Sequence, residues 1–298
     1  MTRHLLDVAD FVADELAHIL SLAQRLDLPA VLARRGVALI FEKPSNRTRQ
    51  SMEMAVVQLG GHPVYTRGEE VGFDVREPVE DITRVMAGYH GLLAARVFSH
   101  TTVQRMAAVS SVPVVNLLSA HSHPLQALAD VLTMQQVHGS LVGLRVAYVG
   151  DYNNVARSLA EACALLGAHL ALASPVGHHA DDGELERINT LGSGSVSSVH
   201  RPLDAVIGAV AIHTDSWTSM GQDAEADVRA RAFEGFTVDA ALMAAAAPGA
   251  GFYHCLPAHR GLEVTADVID GGSSHVIAQA HNRLHASRGA LAFIMGVR

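Results

Sequence analysis

The chain has 298 residues, 49% of them hydrophobic and 17% charged, and its formal net charge of -8 gives no general attraction for nucleic acid or an anionic membrane. Among its 22 basic residues only Lys43 is a lysine, so a Schiff base or a GxxxxGK[ST] loop would have to sit there, and no glycine four to five residues upstream supports such a loop. Two cysteines, Cys163 and Cys255, cannot build a disulfide framework, and no C-x-x-C pair suggests structural zinc.

Apolar runs such as 37–41 and 144–149 are far shorter than the roughly 20 residues of a membrane-spanning helix. The first residues lack a signal-peptide core, so a cytoplasmic protein is expected. Short β-branched runs alternate with helical stretches, the pattern of parallel sheets covered by helices on both faces, and the fold class is α/β. Strands are expected at 37–41, 62–66, 92–98 and 112–117, with helices near 46–59, 78–89 and 101–109. One long helix follows at 124–138. After Gly139 and Gly143 a second alternation begins, with a strand at 144–149, a helix at 153–166, a strand at 169–173 and later strands near 211–214 and 252–256. A domain junction is therefore expected near 130–143. The Gly- and Ser-rich stretch 192–198 reads as a surface turn, and a short strand at 275–277 precedes a last helix near 281–295.

Five segments could carry chemistry. In 41–61 a strand ends, Pro44 breaks the chain, Ser45 is a good N-cap, and Met52, Ala55, Val56 and Leu59 form a helical apolar face that Gly60-Gly61 terminates. Free N–H groups, the helix dipole and Arg47 suit a phosphate or carboxylate there, although an ordinary cap with solvated arginines has the same sequence. In His123-Pro-Leu-Gln126 the proline fixes a helix start, so His123 and Gln126 project from one end; a capping or packing histidine is the plainer alternative. Gly150-Asp-Tyr-Asn-Asn154 follows a strand but lacks G-x-G-x-x-G, which disfavours a dinucleotide. Asp215-Ser-Trp-Thr-Ser-Met-Gly221 and His254-Cys-Leu-Pro-Ala258 also follow strands, where Trp217, Met220 and Cys255 would equally suit a core.

Taken in this order, these segments resemble the aspartate/ornithine carbamoyltransferase family over nearly the full length, and its ornithine branch most closely. Ser45-Asn-Arg-Thr-Arg49 is similar to the family's S-T-R-T-R loop, His123-Pro-Leu-Gln126 to H-P-x-Q, and Asn282-Arg283 to its terminal N-R. Asp215 to Gly221 is similar to D-x-W-x-S-M-G and His254 to Pro257 to H-C-L-P, and with N-R these point to the ornithine branch. The resemblance implies two doubly wound parallel-sheet domains joined by a long helix: 1–132 binding carbamoyl phosphate, 133–278 binding ornithine, and 279–298 as a C-terminal helix returning to the first domain. It also implies carbamoyl transfer to the δ-amine of L-ornithine in a homotrimer or a multiple of trimers, with no cofactor, no metal and no covalent intermediate. Carbamoyl phosphate falls to Ser45, Asn46, Arg47, Thr48, Glu70, Arg96, His123 and Gln126. Ornithine falls to Asn154, Asp215, Ser219, Met220, Cys255 and Leu256, and Arg96, His123, Gln126, Cys255 and Arg283 form the catalytic set. A cis Leu256-Pro257 peptide is a further implication.

Two positions depart from the family pattern. Asn46 replaces a threonine, and Glu70 stands where the family has a glutamine, in a loop that reaches a neighbouring subunit's site. A carboxylate repels a phosphate dianion, so the loop lies farther away, Arg67 or Arg76 compensates, or donor binding is weakened. Cys255 reads either as a substrate-contacting thiol or as a nucleophile, the latter needing a base that His254, adjacent along a strand, would present to the opposite side. Transfer to another amine such as lysine, a diamine or a specialised-metabolism amino acid, and a catalytically silent binding protein on the same fold, are the competing readings.

Overall fold

Five successive buried side chains, Val37 to Phe41, are accommodated in a strand covered on both faces, and Gly36–Phe41 is the parallel strand β1. In the computed structural model, whose described residues are 2–218 and 223–298, β1 belongs to the first of two units, Met1–Ala129 with His281–Arg298. This unit runs α1 (Ala13–Gln24), β1, α2 (Asn46–Gln58), β2 (His62–Arg67), the single turn α3 (Gly68–Val71), α4 (Val79–Tyr89), β3 (His90–Arg96), α5 (His100–Val109), β4 (Val114–Leu118) and the start of α6 (Pro124–His138). Its sheet is parallel, in the order β2-β1-β3-β4. Ile82 of α4 and Val103 and Met106 of α5 close one face over Ala38, Ile40, Leu93, Ala95 and Val114. The strand order reverses between β1 and β3, and ligands of such sheets bind beyond the carboxyl ends at that point. Phe41 and Arg96 are register partners there, and the Glu42 N–H donates to the Arg96 carbonyl at 2.9 Å.

The second unit, Asp130–Ala280, repeats the plan. It contains β5 (Arg145–Val149), α7 (Asn154–Leu165), β6 (His169–Ala173), α8 (Asp182–Asn189), β7 (Ser195–Val199), α9 (Pro202–Val206), β8 (Ala211–Thr214), α10 (Ala226–Ala232), α11 (Ala240–Ala244), β9 (Gly251–His254) and α12 (Ala266–Ile269). The last helix, α13 (Val276–Ile294), starts here and ends in the first unit. The parallel order is β7-β6-β5-β8-β9, with the switch between β5 and β8. Trp217 lies in the core, its ring stacked on Phe233 with centroids 5.5 Å apart, a pair worth about 1 kcal/mol beyond its burial. Both units are doubly wound α/β, as the alternation of patterns implied.

Two expectations are corrected. The stretch at 192–198 is not a turn throughout: Ser195–Val199 is the edge strand β7. Its glycines mark close packing, since a Cβ on Gly194 would stand 2.3 Å from the Ala168 carbonyl oxygen. The strand expected at 275–277 reduces to one bridge, Phe252 to Ser274, and α13 begins at Val276. Among the described residues no helix is long and apolar enough to cross a membrane.

Candidate active site

In the first unit α2 starts just beyond the carboxyl end of β1. Ser45 occupies the N-cap position, but its hydroxyl donates to Thr48 Oγ1 at 3.0 Å and does not cap the helix. The N–H groups of Asn46, Arg47 and Thr48 therefore remain directed past the helix end with the positive end of its dipole. Thr48 is a hub: its Oγ1 accepts from Arg96 Nη1 at 3.4 Å and from Arg283 Nη2 at 2.9 Å. Arg283, carried by α13, also donates to Gln126 Oε1 in the first turn of α6. His123, one residue before α6, is buried, and burial, reinforced by the charges of Arg283 and Arg96, pushes its imidazole well below the ordinary range. Two guanidiniums, a neutral imidazole, an amide and two hydroxyls thus form a donor-rich, cationic cluster suited to a phosphate and a polarised carbonyl.

Three of the expected donor-side residues stand apart from that hub. Arg47, half-buried in the first turn of α2, has no ion-pair partner among the described residues. Asn46 is exposed, and its Oδ1 accepts from Gln50 Nε2 at 2.5 Å. Glu70 is exposed and pairs with Arg67 at 3.2 Å, while Arg76 donates to its backbone carbonyl at 3.2 Å. Both arginines raised at the sequence level thus hold the Glu70 segment, and neither bond involves the start of α2.

In the second unit β5, β8 and β9 end side by side: Thr214 Oγ1 donates to the Val149 carbonyl at 2.6 Å, and Thr214 is the register partner of His254. Asp215 follows β8 and collects donors. Its Oδ1 accepts the Cys255 thiol at 2.9 Å and the Ser216 N–H at 2.8 Å, and its Oδ2 accepts Asn153 Nδ2 at 2.9 Å. The imidazole of His254 is turned to other partners, Nδ1 accepting the Leu256 N–H at 2.8 Å and Nε2 meeting Glu263 Oε1 at 3.2 Å. The base that a nucleophilic Cys255 would need is therefore not His254, which favours the substrate-contacting thiol. Leu256 has φ +58°, a left-handed conformation costing a leucine roughly 1–2 kcal/mol, and the Leu256-Pro257 peptide is cis. Asp215, His254 and Cys255 have ligand-capable atoms within 4.8 Å of one another, so a cation could be held there only by displacing these hydrogen bonds.

Asn154 opens α7, and Asn153, as the N-cap, touches Asp215 and receives the N–H groups of Val155 and Ala156. Asn-Asn at a helix start was a signal that could have found it. Arg229 was also missed, and Asp151 was noted within 150–154 but given no role: Arg229 donates to the Trp217 carbonyl and to the Asp151 carboxylate, which ties Trp217 to the segment after β5. No local pattern announces a pair separated by 78 residues. Ser219 and Met220 lie outside the described residues.

A family model described as the carbamoyl-P binding domain of aspartate/ornithine carbamoyltransferase matches residues 3–136, and the Asp/Orn binding domain model matches residues 142–294. The chain belongs to this family. An ornithine carbamoyltransferase of Thermus thermophilus is 45% identical over 295 residues, covering 98% of this chain and 96% of the relative. One from Acidothermus cellulolyticus is 45% identical over 303 residues, covering 99% and 97%. The solved ornithine carbamoyltransferase of Pyrococcus furiosus has a TM-score of 0.94 at 42% identity, covering 100% of this chain and 98% of that one.

Proposed function

We propose that this chain transfers the carbamoyl group of carbamoyl phosphate to the δ-amine of L-ornithine, giving L-citrulline and phosphate. The observation that carries the reading is the Cys255 to Asp215 hydrogen bond, which joins in one cluster the two loops typical of the ornithine branch. Near-full-length similarity to ornithine carbamoyltransferases supports it.

In this reading the uncapped start of α2, Ser45, Arg47, Thr48 and Arg96 hold the phosphate. Thr48, Arg96 and the neutral His123 donate to the carbamoyl oxygen, and Gln126, oriented by Arg283, holds the carbamoyl nitrogen. Donors fixed where negative charge develops are worth roughly 3 kcal/mol each in comparable acyl transfers. Asn154 and Asp215, with Ser219 and Met220, take the amino-acid end of ornithine, and Cys255 and Leu256 meet its δ-amine. The amine lone pair forms the new C–N bond, the C–O bond to phosphate breaks, and the departing phosphate takes the amine proton. Residues 1–132 then serve the donor, 133–278 the acceptor, and 279–298 return Arg283 to the donor side. A homotrimer or a multiple of trimers is part of this reading, with a light-scattering mass of three times 31.6 kDa or a multiple of that.

The test is phosphate and citrulline release from carbamoyl phosphate across a panel of amines. Release with L-ornithine well above lysine and diamines is expected; a preference for another amine, or no release at all, overturns the reading.

A further inference from the structure

His254 is the last residue of β9 and its side chain is fully enclosed. A buried histidine of this kind often only fills space, but here both ring nitrogens are committed in a defined sense. The Leu256 N–H can only donate, so Nδ1 must be unprotonated, and the proton sits on Nε2, facing Glu263 Oε1. The same Oε1 accepts the His259 N–H at 2.6 Å, and His259 Nδ1 lies 3.2 Å from Ser216 Oγ, in the residue after Asp215. Burial opposes ionisation of Glu263, but the bonds from His254 and His259 outweigh it and hold the carboxyl below its ordinary range. The backbone is braced as well: Gln279 Oε1 accepts the His254 N–H at 2.9 Å while its Nε2 donates to Asp130 at 2.6 Å.

The bond from Leu256 N–H back to His254 Nδ1 closes a turn around Cys255, much as an Asx side chain closes one two residues on. That turn holds Leu256 in its left-handed conformation and directs the Cys255 thiol to Asp215. We propose that His254 is a positioning residue for the amine acceptor: Glu263 fixes its tautomer, and its Nδ1 sets the turn that presents Cys255 and Leu256. The inference rests on the carbamoyltransferase reading, since it names what aligns the amine-facing residues of that site.

Two substitutions separate the acceptor from the bulk. His254→Asn keeps an acceptor near the Nδ1 position and loses the link to Glu263; His254→Gln keeps a polar group toward Glu263 and loses the acceptor. The KM for ornithine should rise about tenfold in His254→Gln, the scale of one lost hydrogen bond, and stay within about threefold of wild type in His254→Asn. The KM for carbamoyl phosphate should change in neither. Alkylation of Cys255 by iodoacetamide, read by mass spectrometry, should accelerate in His254→Gln alone. Equal rises in ornithine KM, or an unchanged KM in both variants, would reduce His254 to packing and overturn the proposal. If the wild type makes no citrulline, the function reading fails, and equal alkylation rates in the two variants would separately remove the turn-setting role.

Discussion

The clusters proposed for the donor and for the acceptor use one architectural plan with opposite electrostatics. Each lies beyond the carboxyl ends of parallel strands that flank a switch point. In the first unit the hub is a hydroxyl, Thr48, on which two arginines converge. In the second the hub is a carboxylate, Asp215, on which a thiol, an amide and a backbone N–H converge. A phosphate dianion calls for fixed cations, whereas an amino acid that arrives with ammonium groups calls for a carboxylate and neutral acceptors. Under the proposed function the charge of each hub residue answers that of its substrate, and this contrast can be broken experimentally.

The largest effect is expected at the cationic hub. Arg283→Met removes donors to both Thr48 and Gln126, and kcat/KM for citrulline formation should fall by roughly three orders of magnitude. A loss below tenfold would mean that Arg283 only packs. At the other hub, Asp215→Asn should raise the KM for ornithine roughly 10- to 100-fold by weakening the seat of Cys255 and the contact to Asn153. The KM for carbamoyl phosphate should hold; parallel rises in both constants would dissolve the division of labour.

The cationic side also makes a pH prediction. His123 is held neutral in the folded chain well below its ordinary value of 6.5, while in the unfolded chain it takes a proton as pH falls through 6.5. The unfolded state then binds more protons, so stability is complete above 6.5 and declines below it, by at most about 1.4 kcal/mol per pH unit for this one group. Denaturation midpoints of wild type and His123→Asn, compared between pH 7 and 5, should diverge in that direction, the variant being less acid-sensitive. Glu70→Gln is a smaller and sharper probe. It removes a carboxylate that is paired only at an exposed site, so a lowered KM for carbamoyl phosphate would place Glu70 near the donor in the assembled protein, and an unchanged KM would remove it from the donor site.

How much of this was legible depended on whether the cause was local. The strand-loop-helix at 41–61 and the helix at 124–138 announced themselves because capping, proline placement and apolar spacing act within a few residues. The edge strand β7 was hidden because its ladder pairs with β6 alone and only Val196 of its five residues is buried, leaving a serine-rich surface that reads as a turn. Val276 and Ile277 suggested a strand by β-propensity, yet tertiary contacts through the buried Gln279 fix that segment as helix. Motif matching reached Asp215 and Cys255 but gave no role to Asn153 or Asp151 and passed over Arg229, because their contacts to Asp215 and to each other join distant segments.

The smallest expected effect concerns the single lysine. Lys43 lies two residues before Ser45, inside the segment proposed to hold the phosphate, and its position alone suggests a phosphate ligand. The two cationic donors to Thr48 argue otherwise, since both are guanidiniums, whose planar forks can bond two partners at once, as Arg283 does with Thr48 and Gln126. An ammonium is a compact point charge and cannot copy that geometry. Lys43→Arg should therefore leave both Michaelis constants within about twofold, because a charge acting at a distance survives the exchange. Arg47→Lys keeps the same net charge and should raise the KM for carbamoyl phosphate about tenfold, because it exchanges a fork for a point in the first turn of α2. If the two substitutions behaved alike, charge alone would organise the donor side, and the geometric half of the contrast between the two hubs would fall.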